Sequence, residues 1–106
     1  MRVLVVVGLL AICLAGPDSA QSVSDQNYLG LARCIGLTRG AGGDATAMQA
    51  ALRHAGAGRP FLVVEKGRSR ERDASLSMHW AGGEARAALE NERAILCPAV
   101  FRVASL

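Results

Sequence analysis

Apolar residues in the first part of the chain recur at helical spacing. The segment SDQNYLGLARCIGLTRG places apolar side chains three and four residues apart, so that they share one face of a helix. Ser24 is a candidate N-cap, and Arg39 and Gly40 supply the basic last turn and the glycine that often end a helix. We therefore predict a helix over about residues 25–38. Its apolar face consists of Tyr28, Leu31, Ala32 and Ile35, with Cys34 beside them.

A second amphipathic segment, ATAMQAALRHAG, follows a glycine-rich loop. Asp44 is a candidate N-cap for this helix, and Gly56 and Gly58 are expected to end it. A short connection between two helices favours antiparallel packing, so we expect the first two helices to run in opposite directions. The predicted apolar face consists of Met48, Ala51, Leu52 and Ala55.

The middle segment, RPFLVVEKGRSRERDASLSMHW, is open to two interpretations. Pro60 suits the start of a helix, and alanine-rich helical segments lie on both sides, which favours a helix. The run FLVVE, and the alternation of Leu76, Met78 and Trp80 with polar neighbours, also fit short strands. We favour the helix and keep the strands as the alternative.

The segment EARAALENERAILC, which follows Gly82 and Gly83, is rich in strong helix formers. Pro98 is expected to end this helix, because proline lacks the N–H that a helix interior requires. The tail AVFRVASL is expected to form a short strand or an extended strap over the core. The predicted apolar face of the last helix consists of Ala85, Ala88, Leu89 and Leu96.

The chain begins with an apolar run, from Val3 to Ala15, that follows a single charge at Arg2 and is broken at Gly16-Pro17. This layout is typical of a cleaved secretory signal. As a helix the run is roughly 20 Å long, which is shorter than the roughly 30 Å hydrocarbon core of a bilayer. We therefore predict an export signal rather than a transmembrane helix.

Cleavage after Ala20 is preferred over cleavage after Ala15, because a clearly polar stretch begins at Gln21. We predict that residues 1–20 are the signal peptide and that residues 21–106 form a single small exported domain. Its location is then the periplasm or the extracellular space. The bias toward alanine, arginine and glycine suggests a bacterial source with a GC-rich genome.

Removing the signal changes the cysteine count. The chain has three cysteines, and Cys13 leaves with the signal, so that Cys34 and Cys97 remain as a pair. In an exported small domain such a pair is most simply a structural disulfide. The predicted fold is mainly α, a small disulfide-stapled domain of three or four helices. The alternative is an α+β fold with short strands near 61–65, 75–80 and 99–103.

No segment carries a specific catalytic, cofactor or metal motif. His54 and His79 are far apart in the sequence and have no nearby cluster of metal-ligating residues, so we predict no metal site and no cofactor. The serines before His79 lack the G-x-S-x-G turn of a hydrolase nucleophile. We assign no catalytic residue and lean toward a non-enzymatic protein. The alternative is a periplasmic enzyme whose site is assembled by the fold from His79, Glu84 and a serine.

The sequence EKGRSRERD places a basic residue at every second position. In an extended chain these four side chains share one side and suit an anion, whereas in a helix they spread around the cylinder. The candidate anion-binding residues are Lys66, Arg68, Arg70 and Arg72.

Nucleic-acid binding requires a larger basic surface with aromatic residues for stacking, whereas only Phe61 and Trp80 flank the basic run, so we do not expect a nucleic-acid partner. An exported protein that binds a partner or an envelope component is the favoured function. Contact with an acidic protein or with an anionic membrane surface through the segment from Lys66 to Arg72 is a further alternative, as is the enzyme. No transmembrane helix is expected in the mature chain.

Overall fold

The computed structural model describes residues 23–104, which form four helices joined by short loops. No strand occurs within this range, so the mainly α prediction is confirmed, and the alternative with strands near 61–65, 75–80 and 99–103 is wrong. The predicted signal peptide and Cys13 lie outside the described residues. The helices are α1 (Asp25–Gly40), α2 (Thr46–Gly56), α3 (Phe61–Trp80) and α4 (Gly83–Ala104).

Helix α1 begins where the sequence predicts. The Ser24 hydroxyl accepts a hydrogen bond from the backbone N–H of Asn27, at 3.1 Å, and so caps the first turn. The helix continues to Gly40, two residues past the predicted end, and Gly42 takes a positive φ of 84° in the turn that follows. Glycine adopts this left-handed conformation without a steric penalty, so it suits the exit from the helix.

Helix α1 lies at the centre of the fold, and the other three helices pack against it. The Sγ atom of Cys34 lies 3.2 Å from the Sδ atom of Met48, and Gly56 faces Tyr28, so α2 runs antiparallel to α1 as predicted. One buried cluster consists of Leu31, Cys34, Ile35, Ala45 and Val100, and a second of Leu37, Ala74 and Met78.

Helix α2 begins one residue later than a cap at Asp44 requires. The position before Thr46 is Ala45, whose side chain makes no capping hydrogen bond. Asp44 instead accepts hydrogen bonds from the Thr46 backbone N–H at 2.9 Å and from the Thr46 hydroxyl at 2.6 Å. Both bonds favour the charged carboxylate and lower the pKa of Asp44. Asp44 therefore stabilises the start of α2 from the position that precedes the N-cap residue Ala45.

Helix α3 runs parallel to α1 and approaches it very closely. A Cβ atom added at Gly36 would lie 2.2 Å from the carbonyl oxygen of Glu71, and one added at Gly40 would lie 2.5 Å from the carbonyl oxygen of Ser75. Neither position has room for a side chain. The two glycines therefore allow the backbones of α1 and α3 to pack directly against each other.

Helix α4 continues through Pro98 to Ala104, so the predictions that Pro98 ends it and that a strand or strap follows are wrong. The proline removes the hydrogen bond to the carbonyl of Ala94, and proline in a helix interior costs about 3 kcal/mol. Contacts before and after Pro98 keep the segment helical, because Cys97 is bonded to α1 and Val100 is buried in the core. Tertiary packing thus overrides the tendency of Pro98 to end the helix.

The buried face of α4 also differs in part from the prediction. Ala85 and Ala88 are exposed, whereas Leu89 and Leu96 pack against the two core clusters together with Val100. Alanine offers less apolar area to bury than leucine or valine, so burial of Leu89, Leu96 and Val100 contributes more than burial of the two alanines would.

One disulfide and one ion pair fasten α4 to α1. Cys34 and Cys97 are joined by a disulfide with their Cα atoms 5.3 Å apart, which confirms the predicted pairing. Beside it, Arg33 donates from Nη2 to Oε1 of Glu92 at 2.8 Å and from Nε to Oε2. The side chain of Glu92 thus connects α4 to α1.

Arg59 fastens the loop between α2 and α3 to the start of α1. Its guanidinium donates to the carboxylate of Asp25 and to the carbonyl of Val23, and its Nε donates to the carbonyl of Ala55 at 2.7 Å. The guanidinium carbon also lies 5.0 Å from the centre of the Tyr28 ring. These contacts fix the N-terminal end of α1 against the start of α3.

Candidate functional site

The basic segment of α3 does not form a single strip, because it is helical. At about 100° per residue, Lys66 and Arg70 share one ridge of the helix, and Arg68 and Arg72 share another on the nearly opposite side. All four side chains are exposed. The structure therefore brings the candidate anion-binding residues together as two pairs rather than as a set of four.

Arg68 and Arg72 line an open cleft of about 300 Å³ between α1 and α3. Arg39, from the last turn of α1, lines the same cleft. Glu71 is the one carboxylate in the lining, so the cleft is lined by three arginines and one acidic residue. The lining is completed by Ser75 and Leu76.

The arginines of the cleft differ in how they are engaged. Arg39 donates from Nη1 to Glu71 at 2.8 Å and from Nη2 to the side-chain carbonyl of Gln49, so it is held from two sides. Arg68 pairs with Glu65 at 2.8 Å, within α3 and on an exposed surface. Arg72 has no ionic partner among residues 23–104. The cleft thus offers one guanidinium held from two sides, one in an exposed pair within α3, and one with no ionic partner among the described residues.

The close packing of α1 on α3 creates this cleft. Because Gly36 and Gly40 let the two backbones meet, the last turn of α1 lies directly beside Glu71 and Ser75. Arg39, between these glycines, then reaches the ridge that carries Arg68 and Arg72. A larger residue at either glycine position would separate Arg39 from the other two arginines.

A second cleft, of about 380 Å³, adjoins the first and shares Arg68 and Glu71 with it. Tyr28 of α1, Leu52 of α2 and Val64 of α3 contribute to its lining. Burial raises the pKa of the Tyr28 hydroxyl, while the positive charges of Arg59 and Arg68 act in the opposite direction. Tyr28 is therefore a neutral phenol at physiological pH and adds a polar but uncharged group beside the arginines.

Guanidinium groups bind phosphate or carboxylate through paired, charge-assisted hydrogen bonds. Three such groups around an open cleft are suited to holding an anion. The lining includes one hydroxyl, Ser75, and no histidine that would activate it. The arrangement therefore suits the binding of an anion.

The histidines lie away from this cleft. The ring of His79 contacts Trp80 edge to face, with ring centroids 4.9 Å apart, and within residues 23–104 it makes no hydrogen bond to a serine or a carboxylate. His54 is exposed in the last turn of α2. The part of the chain that the structure describes holds no group of three or more residues that could bind a metal ion.

Sequence reasoning did not find Arg39 as a member of the site. The local pattern indicates Arg39 only as a basic residue in the last turn of α1. The available signal was the four-residue spacing of Gly36 and Gly40, since small residues at that spacing allow two helices to approach closely. The spacing does not show which helix packs there, so the partner of Arg39 becomes visible only in the fold.

None of the four described helices is both long enough and apolar enough to cross a membrane. No family model, no curated protein and no solved structure matches the chain. The contacts and charges of the cleft are therefore the basis on which a function is assigned.

Proposed function

We propose that this protein is an exported, non-enzymatic binding protein that holds an anionic group of its partner in the cleft formed by Arg39, Arg68 and Arg72. The observation that carries the proposal is that three arginines from two helices line one cleft, whose lining contains a single carboxylate. Lys66 and Arg70, on the other ridge of α3, contribute to the general positive field and not to the cleft.

The existing ion pairs leave the cleft free to bind. The pair between Arg68 and Glu65 is exposed and lies within one helix, and such pairs contribute only a few tenths of a kcal/mol. An arriving anion can therefore displace Glu65 at little cost. Arg39 keeps its contacts with Glu71 and Gln49 and presents its remaining N–H groups at a fixed position.

Two features support an exported location. The first residues have the layout of a secretory signal, and the disulfide between Cys34 and Cys97 agrees with an oxidising compartment such as the periplasm or the extracellular space. In that setting the anionic groups that a small basic protein meets belong to envelope components or to other exported proteins.

An NMR titration with inorganic phosphate tests the proposed site. We expect the side-chain Nε–H resonances of Arg39, Arg68 and Arg72 to shift together and to saturate with one binding constant, because the three groups would contact the same anion. The resonance of Arg102, which lies in the last turn of α4, should stay in place.

Sodium chloride at matched ionic strength is the control, since it screens charges without offering a tetrahedral oxyanion. The proposal is wrong if phosphate and chloride produce the same shifts, or if the three cleft arginines respond no more than Arg102.

A further inference from the structure

Four of the large apolar side chains that the described residues expose to solvent belong to α3, and two of these lie beside the cleft. Leu76 is 52% exposed and lines the cleft, and Trp80, one turn further on, is 78% exposed. The other two, at the start of α3, are Phe61 and Leu62.

The residues near the cleft form a continuous ridge. Arg68, Arg72, Leu76 and Trp80 follow one another at steps of four, and residues four apart lie next to each other on a helix surface. The ridge therefore passes directly from two guanidiniums to two large apolar groups. Along this outer side of α3 the acidic residues are Glu65, which pairs with Arg68, and Asp73.

The end of this ridge is held in position. Arg86 donates from Nη1 to the carbonyl oxygen of Met78 at 3.0 Å, which satisfies one of the free carbonyls in the last turn of α3. Met78 itself is fully buried against α1. Trp80 therefore projects from an anchored turn, although its ring is open to solvent.

We infer that the anionic partner is a phospholipid surface, whose headgroup phosphate enters the cleft while Leu76 and Trp80 insert into the interface. This inference rests on the proposed function. Cations beside an anionic bilayer and a tryptophan at the level of the headgroups are the two contacts that favour the surface of a membrane. The cleft supplies the first contact, and the adjoining apolar end of the ridge supplies the second.

Trp80 is the only tryptophan in the chain, so its fluorescence reports on this ridge and not on the apolar N-terminal run. The protein is purified in the form that the cell produces and is mixed with vesicles of phosphatidylcholine alone or with added phosphatidylglycerol. We expect the emission of Trp80 to move to shorter wavelength, and to be quenched by brominated acyl chains, only with the anionic vesicles. Added salt should reduce both effects.

Two leucine variants form a matched pair. Leu76→Ser should weaken partitioning to anionic vesicles by roughly tenfold, the loss expected for about one buried leucine side chain. Leu62→Ser removes an equally large apolar group, 78% exposed, from the distant end of the same helix and should leave partitioning within about twofold.

The inference is overturned if Trp80 does not respond to anionic vesicles, if phosphatidylcholine vesicles give the same response, or if the two leucine variants weaken binding equally. An unresponsive Trp80 combined with saturating phosphate shifts of the cleft arginines would leave the proposed anion site in place and would point to an acidic protein as the partner. Failure of both measurements would remove the anion site as well.

Discussion

Several charged side chains in this protein form contacts that the neighbouring sequence does not predict. Arg39, Arg59 and Glu92 each pair with a residue from a distant part of the chain. A charged residue on a predicted helix has many potential partners, and the crossing of the helices selects among them. For this reason local sequence correctly indicated Ser24 as a cap but gave no partner for Glu92.

The ion pair of Glu92 makes stability depend on pH. Its hydrogen bond from Arg33 lowers the pKa of Glu92 in the folded state, against a smaller opposing effect of partial burial. A carboxyl whose pKa is lowered on folding stabilises the protein above its unfolded pKa, about 4.3, and loses that contribution as the pH falls through the folded value. Glu92→Gln should therefore destabilise the protein by up to about 1 kcal/mol at pH 7.

Urea unfolding of both proteins at a series of pH values checks this expectation, with the difference between them shrinking as the pH falls below about 4. Glu90→Gln is the matched control, because among the described residues Glu90 pairs within α4, with Arg93 at 3.2 Å. It should cost no more than about 0.5 kcal/mol. A difference between wild type and Glu92→Gln that is the same at pH 3 and pH 7 would contradict the assigned role of the pair.

Among the elements, the contact between α1 and α3 determines the site. The helical segments could be predicted from spacing and propensity, including α3, where a strand was the alternative. Their ends were less predictable, since α4 runs through Pro98 on the strength of its packing. The parallel approach of α3 to α1 was not predictable from apolar spacing or from helix propensity. By propensity alone, a glycine within a helix only destabilises it.

Gly36→Ala tests this contact. The added Cβ would lie 2.2 Å from the carbonyl oxygen of Glu71 and 2.8 Å from the Cβ of Ala74, so the two helices must move apart. We expect a net loss in the free energy of unfolding of at least about 1 kcal/mol, even though alanine gains about 1 kcal/mol in helix propensity. Urea denaturation with the disulfide intact measures the difference.

Gly82→Ala is the control for this substitution, because a Cβ at Gly82 meets nothing within 4 Å. It should change the free energy of unfolding by no more than about 0.5 kcal/mol. If Gly36→Ala proved as stable as wild type, direct backbone packing between α1 and α3 would not be the reason for the glycine.

In the whole molecule, α1 serves as the shared surface on which the other helices are placed. The disulfide and the pair of Arg33 with Glu92 fasten α4 to α1, and α3 packs on α1 through the glycines. The cleft forms at the edge of this second interface. Composition and the predicted signal indicated a small exported helical domain with a basic segment, but only the assembled fold places Arg39 beside Arg68 and Arg72 and apart from Lys66 and Arg70.

The most direct measurement compares the two pairs of basic residues on α3. The double variants Arg68→Gln/Arg72→Gln and Lys66→Gln/Arg70→Gln each remove two positive charges from exposed positions on α3, so they change the net charge equally. Phosphate affinity of both is measured by the same NMR titration. We predict that the first variant loses roughly tenfold or more in affinity, as expected when charge-assisted hydrogen bonds are removed, and that the second stays within about twofold of wild type. An equal loss in the two variants would contradict a cleft-specific site and would show that the anion responds only to overall charge.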